Sequence, residues 1–115
     1  MSSSLRVESR TEPSAVVLEM HGDVSADGEV EIKGGFADAV TAGSSAVLID
    51  LSDAAYINTS GISVLIEVAM EAKQQGVTLL VSGASPHYKK VFDLVRFTSF
   101  VSLFDTEAEA LSSLA

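Results

Sequence analysis

Short apolar runs alternate with stretches of helical spacing along this 115-residue chain. Leu5 and Val7 alternate with Arg6 and Glu8, as in an edge strand with one wet face. Glu12-Pro13-Ser14 is turn chemistry, and Ala15 to Met20 is a more central strand. From Gly28 to Ala42 the spacing predicts a helix in which Val30, Ala37 and Val40 share a face, flanked by Phe36. Gly34-Gly35 interrupts it and is the place for a bend. Val47 to Leu51 reads as a strand covered on both faces. A second helix runs from Gly61 to about Gln75 and stops at Gly76, and Val77 to Val81 is another buried strand. Ser85-Pro86 then caps a helix whose apolar face is Tyr88, Val91, Phe92 and Val95. Phe100 to Phe104 is the last strand, and Thr106-Glu107-Ala108-Glu109 opens a final helix with a capping-box pattern. Strands alternating with helices after one hairpin imply crossovers and a mostly parallel sheet. The expected fold is α/β, one domain with about five strands and about four helices.

The chemistry concentrates at the start of the second helix. Asn58, Thr59 and Ser60 are all good N-cap residues and precede Gly61. On a helical wheel Ile62, Leu65, Ile66 and Ala69 point to the core, while Ser60, Ser63, Glu67 and Glu71 point away. Val64 and Val68 lie along the margin, either as part of a wide core stripe or as the apolar edge of a docking patch. A serine at the positive end of a helix, beside unpaired amides, suits a phosphate. On the residues alone, helix capping is the plainer reading of these hydroxyls.

Composition removes other functions. Seven basic residues against sixteen acidic ones give a net charge of −9, which argues against nucleic acid and anionic membrane surfaces. No apolar stretch approaches the roughly 20 residues that span a bilayer, and the N-terminus lacks the pattern of a secretory signal. A cytoplasmic location is expected, with no membrane insertion. The absence of cysteine excludes disulfides and thiol chemistry. The first few residues, serine-rich, are expected to be flexible.

Enzymatic readings find little support. No Gly-x-Ser-x-Gly elbow is present, and Gly34-Gly35 lacks the pattern of a phosphate loop. His21 and His87 have no metal-ligand spacing with a neighbour, and Asp50 and Asp53 read as turn formers. Neither a metal nor a cofactor is expected.

The strand ending Asp50-Leu51-Ser52, followed by Ile57-Asn58-Thr59-Ser60-Gly61 and an apolar helix, resembles the STAS domain of bacterial anti-sigma factor antagonists. Gly22-Asp23-Val24 is similar to that family's step after the second strand, Gly76-Val77-Thr78-Leu79 to the opening of its fourth, and Phe104 to Leu111 to its final helix. The resemblance covers nearly the whole chain. It implies that Ser60, by position, is phosphorylated by an anti-sigma factor that is itself a serine kinase, with Thr59 as the fallback acceptor. It further implies that Asn58, Thr59, Ser60, Gly61, Ser63, Val64, Glu67 and Val68 meet that partner, and that a separate phosphatase resets the switch. The better-known members carry Asp where this chain has Asn58, which bears on how a kinase orients the hydroxyl. Two rival readings are a STAS subunit of a membrane transporter, such as a lipid ABC system, and a small serine hydrolase.

Overall fold

The computed structural model describes residues 5–114; the flexibility expected of the first few residues concerns a stretch that, apart from its end, lies outside them. Strands β1 (Arg6–Thr11), β2 (Val16–Val24), β3 (Ala46–Asp50), β5 (Thr78–Ser82) and β6 (Ser102–Phe104) form one sheet in that spatial order. The β1–β2 pair is antiparallel and every other pairing is parallel. A short strand, β4 (Ala54–Ile57), lies beside the far end of β2. It was not expected, because Ala-Ala-Tyr-Ile is too short to show periodicity. Likewise β2 continues past Met20 to Val24, so His21 lies within a strand.

Helices α1 (Glu29–Thr41), α2 (Thr59–Gln75) and α3 (Pro86–Leu94) cover one face, and α4 (Glu107–Ser112) covers the other. Alternation along β3 splits its side chains between them: Val47 and Ile49 join the larger core, and Leu48 meets Val17, Leu80 and Ala110 on the α4 side. All five residues of β3 are buried, as a central parallel strand requires.

Helix α1 turns a different face inward from the one expected. Ile32, Phe36 and Ala39 are buried at i, i+4 and i+7, whereas Val30 is 80% exposed and Ala37 is exposed. The glycine pair interrupts nothing, since α1 is continuous through it. A β-carbon at Gly35 would meet Leu18 Cδ2 at 3.2 Å, so this position lets the helix sit close to the sheet. At the far side Phe92 packs between Tyr88, stacked on it, and Phe97, edge to face, with ring centroids 6.4 and 5.0 Å away. Val95 lies beyond the end of α3 and is exposed, so it leaves the apolar face assigned to it. The last strand starts at Ser102, later than expected, because Phe97–Ser99 forms a 3-10 turn with Phe97 buried beneath it.

Candidate functional site

Helix α2 begins where the polar residues put it. Asn58 holds an extended backbone and its side-chain carbonyl accepts from the Gly61 N–H at 2.8 Å, the bond of an N-cap. Two backbone anchors fix the approach. The Asn58 N–H donates to the Val24 carbonyl at 3.2 Å, and the Ile57 N–H donates to the Tyr88 hydroxyl at 3.0 Å. The end of β2, β4 and α3 thus converge on the first turn of α2.

Gly61 sets how that turn sits. A β-carbon there would overlap the Val24 carbonyl group, lying 2.6 Å from its carbon and closer still to its oxygen. No side chain fits, and the helix backbone rests directly on the end of β2. This contact fixes the rotation of α2. Gly61, Val64, Leu65, Val68, Ala69 and Ala72 become the buried stripe, with Ile62 and Ile66 half-buried at its edge. The sequence wheel was centred too far toward Ile62 and Ile66. Val64 and Val68 are each 2% exposed and pack in the core, as the wide-stripe alternative had it, and Gly61 is buried too. These three are therefore corrected from surface to support. Thr59, Ser60, Ser63 and Glu67 stay exposed, and Asn58 is half-exposed.

Because Asn58 performs the capping, the hydroxyl of Ser60 is free for something else. It donates to Asn58 Oδ1 at 2.8 Å and accepts from the Ala26 N–H at 3.0 Å. Ala26 opens the 3-10 turn Ala26–Gly28, itself capped by Ser25. The hydroxyl is held in one orientation by one acceptor and one donor while its residue faces solvent. Its acceptor is an uncharged amide, which orients the proton but cannot take it away. Ser63 is tied to the Thr59 carbonyl through its hydroxyl at 3.2 Å.

Ser60 stands at the rim of a groove of about 480 Å³ whose other walls include Asp23, Asp27, Glu31 and Tyr56. Sequence reasoning expected carboxylates from Glu67 and Glu71 instead. Those lie further along α2, where Glu67 meets Lys33 at 3.3 Å and Glu71 accepts from Gln75. Lys33 also reaches Glu29 at 2.6 Å, and these bonds, Glu29 first, raise its pKa above 10.5. The acids that do surround Ser60 come from β2, the 3-10 turn and α1. Asp23 alone had a signal, as part of the Gly22-Asp23-Val24 step.

The remaining polar clusters are accounted for by their own partners. Asp50 accepts from the Ser52 N–H and hydroxyl and from buried Ser82, the turn-forming role expected of it. Asp53 instead binds His21 Nδ1 at 2.6 Å; that bond, more than any other factor, raises the histidine's pKa above 6.5, with Glu8 and Asp53 charge adding to it and partial burial and Arg6 opposing. Two trios, Glu8-Glu19-His21 and Glu19-Asp50-Glu107, have the donor spacing to hold a cation. The first already carries a positive charge when His21 is protonated, and Glu107 of the second is bound by Arg10. Among the described residues no helix is long and apolar enough to cross a membrane.

Comparison with known proteins agrees with this architecture. The STAS domain model matches residues 6–110. An anti-sigma factor antagonist from Mycobacterium paratuberculosis superposes with a TM-score of 0.83 at 16% identity, over 99% of this chain and 98% of that one. The Bacillus cell fate determinant SpoIIAA in its phosphorylated form gives 0.72 at 17% identity, over 97% and 100%. A sulfate transporter family protein from Wolinella succinogenes gives 0.78 at 18% identity, over 91% and 88%. At these identities the structural likeness is one of fold. No curated protein matches the chain in sequence.

Proposed function

The chain belongs to the STAS domain family, and from that membership we propose that it is an anti-sigma factor antagonist in a bacterial partner-switching pathway. In its unphosphorylated form it binds an anti-sigma factor that is also a serine kinase, in the cytoplasm, and so frees that factor's client. Phosphorylation of Ser60 ends the complex, and a separate phosphatase resets it. The chain is substrate and switch, with no catalysis of its own. The observation that carries this reading is the Ser60 hydroxyl, exposed on the first turn of α2 and relieved of capping by Asn58.

The chemistry follows from the surroundings of that hydroxyl. Asn58 offers no base, so the kinase must bring the group that accepts the Ser60 proton. The acids of the groove repel the phosphates of ATP, so the partner must also bring cations. A phosphate on Ser60 adds about −1.5 to −2 charge at pH 7, which helix amides can hold without unfolding. A partner packed over Asn58, Thr59, Ser60, Ser63 and Glu67 then meets new bulk and a charge that it must desolvate. A few kcal/mol of such cost shifts affinity many-fold.

Phosphopeptide mapping after incubation with ATP and the cognate kinase tests the assignment. Phosphate is expected on Ser60 and retained by Thr59→Ala; a Ser60→Ala protein that takes up the same phosphate overturns it. A second reading, a transporter-associated STAS subunit, draws on the likeness in fold to the Wolinella sulfate transporter family protein. It predicts no phosphate on either hydroxyl, and co-purification with a transporter component.

A further inference from the structure

The exposed apolar residues of the described chain gather mainly at opposite ends of α2, with opposite charges around them. At its N-terminal end Tyr56, 57% exposed, lines the groove with Asp23, Asp27 and Glu31, and Val30, 80% exposed, lies just outside that lining, next to Glu31 at the start of α1. At its C-terminal end lies the turn after α3, where Leu94 is 77%, Val95 45% and Phe100 37% exposed. Lys73, in the last turn of α2, places its ammonium 5.6 Å from the Phe100 ring centre. Ser60 and Lys73 are thirteen residues apart, about 20 Å along a helix. From Pro86 to Ser102 the chain carries Lys89, Lys90 and Arg96 against one acid, Asp93; Lys89 is bound by Asp105, which leaves Lys90 and Arg96 as the cations of this stretch, within a molecule of net charge −9. The local sign is therefore opposite to that of the whole.

The turn that presents this patch is held in a costly shape. Arg96 has φ of +63°, the left-handed region that a non-glycine residue enters at a cost of order 1 kcal/mol. Its N–H donates to the Asp93 carbonyl at 3.1 Å, the Thr98 hydroxyl donates to the Asp93 carboxylate at 3.2 Å, and buried Phe97 anchors the turn from below. Leu94 and Val95 are thus held in water by a fixed backbone.

We propose that the Leu94–Phe100 turn is a docking surface for a second copy of this chain, and that it seats on the Val30–Tyr56 surface of that copy, head to tail. Charge complementarity names the occupant: Lys73, Lys90 and Arg96 face the acids that rim Val30 and Tyr56. The contact is heterologous, since each copy offers a different patch, so it leaves one free patch at either end and propagates. Two chains of charge −9 repel at long range, which keeps the association weak, with Kd on the order of 0.1 mM. Seated this way, one copy covers the groove beside Ser60 of the next, and the assembly is a store of antagonist that cannot meet its partner.

The test needs neither kinase nor anti-sigma factor, so its outcome is independent of the Ser60 assignment. Sedimentation of the wild-type chain from about 10 to 500 µM should give a weight-average mass that climbs past dimer. Leu94→Glu and Val30→Lys alter residues exposed enough to leave folding intact, and each variant alone should stay monomeric. Mixed one to one they should form a dimer that grows no further, because each retains the patch the other has lost. A wild-type chain that remains monomeric throughout overturns the proposal, as does a closed dimer that the mixture fails to restore.

Discussion

The starts of α2 and α3 use the same small polar residues to opposite ends. At α3, Ser85 is itself the cap: its hydroxyl accepts from the Tyr88 N–H at 3.3 Å, and Pro86 follows at the first helical position. At α2 the cap is Asn58, and Ser60, two residues on, is spare. A serine at a helix start is a modification candidate when another residue has taken the amide it would otherwise bind. Sequence preference alone treats both serines alike.

The comparison breaks most sharply at Gly61. Gly61→Ala should cost at least about 3 kcal/mol in urea titrations, or prevent folding, because the methyl meets backbone that cannot move aside. Pro86→Ala at the other start should cost less than about 1 kcal/mol. Leu65→Ala should lose roughly 2–5 kcal/mol as a fully buried side chain, while exposed Glu67→Gln stays within about ±0.5. Similar losses at Leu65 and Glu67 would mean the helix rotation is wrong.

Capping comes next in size. Asn58→Ala and Ser85→Ala should each cost about 1 kcal/mol, whereas Ser60→Ala should cost less than either, since its hydroxyl caps nothing in α2. Thermal melts of the three variants would rank them. Asn58→Asp should hold stability and, if orientation of the hydroxyl limits transfer, speed phosphorylation of Ser60 in single-turnover kinetics with the cognate kinase.

The smallest effect is a pH dependence at His21, which gains Asp53 on folding. A folded pKa raised above 6.5 stabilises the protein fully below about that pH, and the contribution fades as pH climbs through the raised value. Arg6 opposes it, and Glu8 and Glu19 flank it. Urea midpoints of wild type and His21→Gln should diverge at about pH 5.5 to 6 and converge above the raised pKa.

The parts of the fold that repeat locally were legible. The β3 run, the Gly76 stop of α2, whose φ is +69°, and the Ser85-Pro86 start stand where their residues place them. The misreadings arose where two apolar arcs competed. In α1, Val30 and Val40 suggested one face, yet Ile32 and Phe36 supply the buried one. In α2 the arc ran from Ile62 through Val68, and only the contact of Gly61 with Val24 decided its centre. The exposure of Ser60 on the first turn of α2 was legible from its neighbours in sequence. Asp27 and Glu31, which line its groove, were not, because strand pairing and a helix start more than thirty residues upstream bring them there.

The absence of any gap between Gly61 and Val24 has a kinetic consequence. With no side chain between them, the first turn of α2 and the end of β2 cannot separate by rotamer exchange; they part only if a stretch of backbone opens. Hydrogen exchange at the Gly61 and Asn58 amides, each bonded across or beside that junction, should therefore be slow and follow sub-global opening instead of local fraying. A helix terminus is ordinarily among the fastest-exchanging parts of a domain. Here the seat of Ser60 is expected to exchange like an interior strand, so the surface it presents persists on timescales longer than a docking encounter.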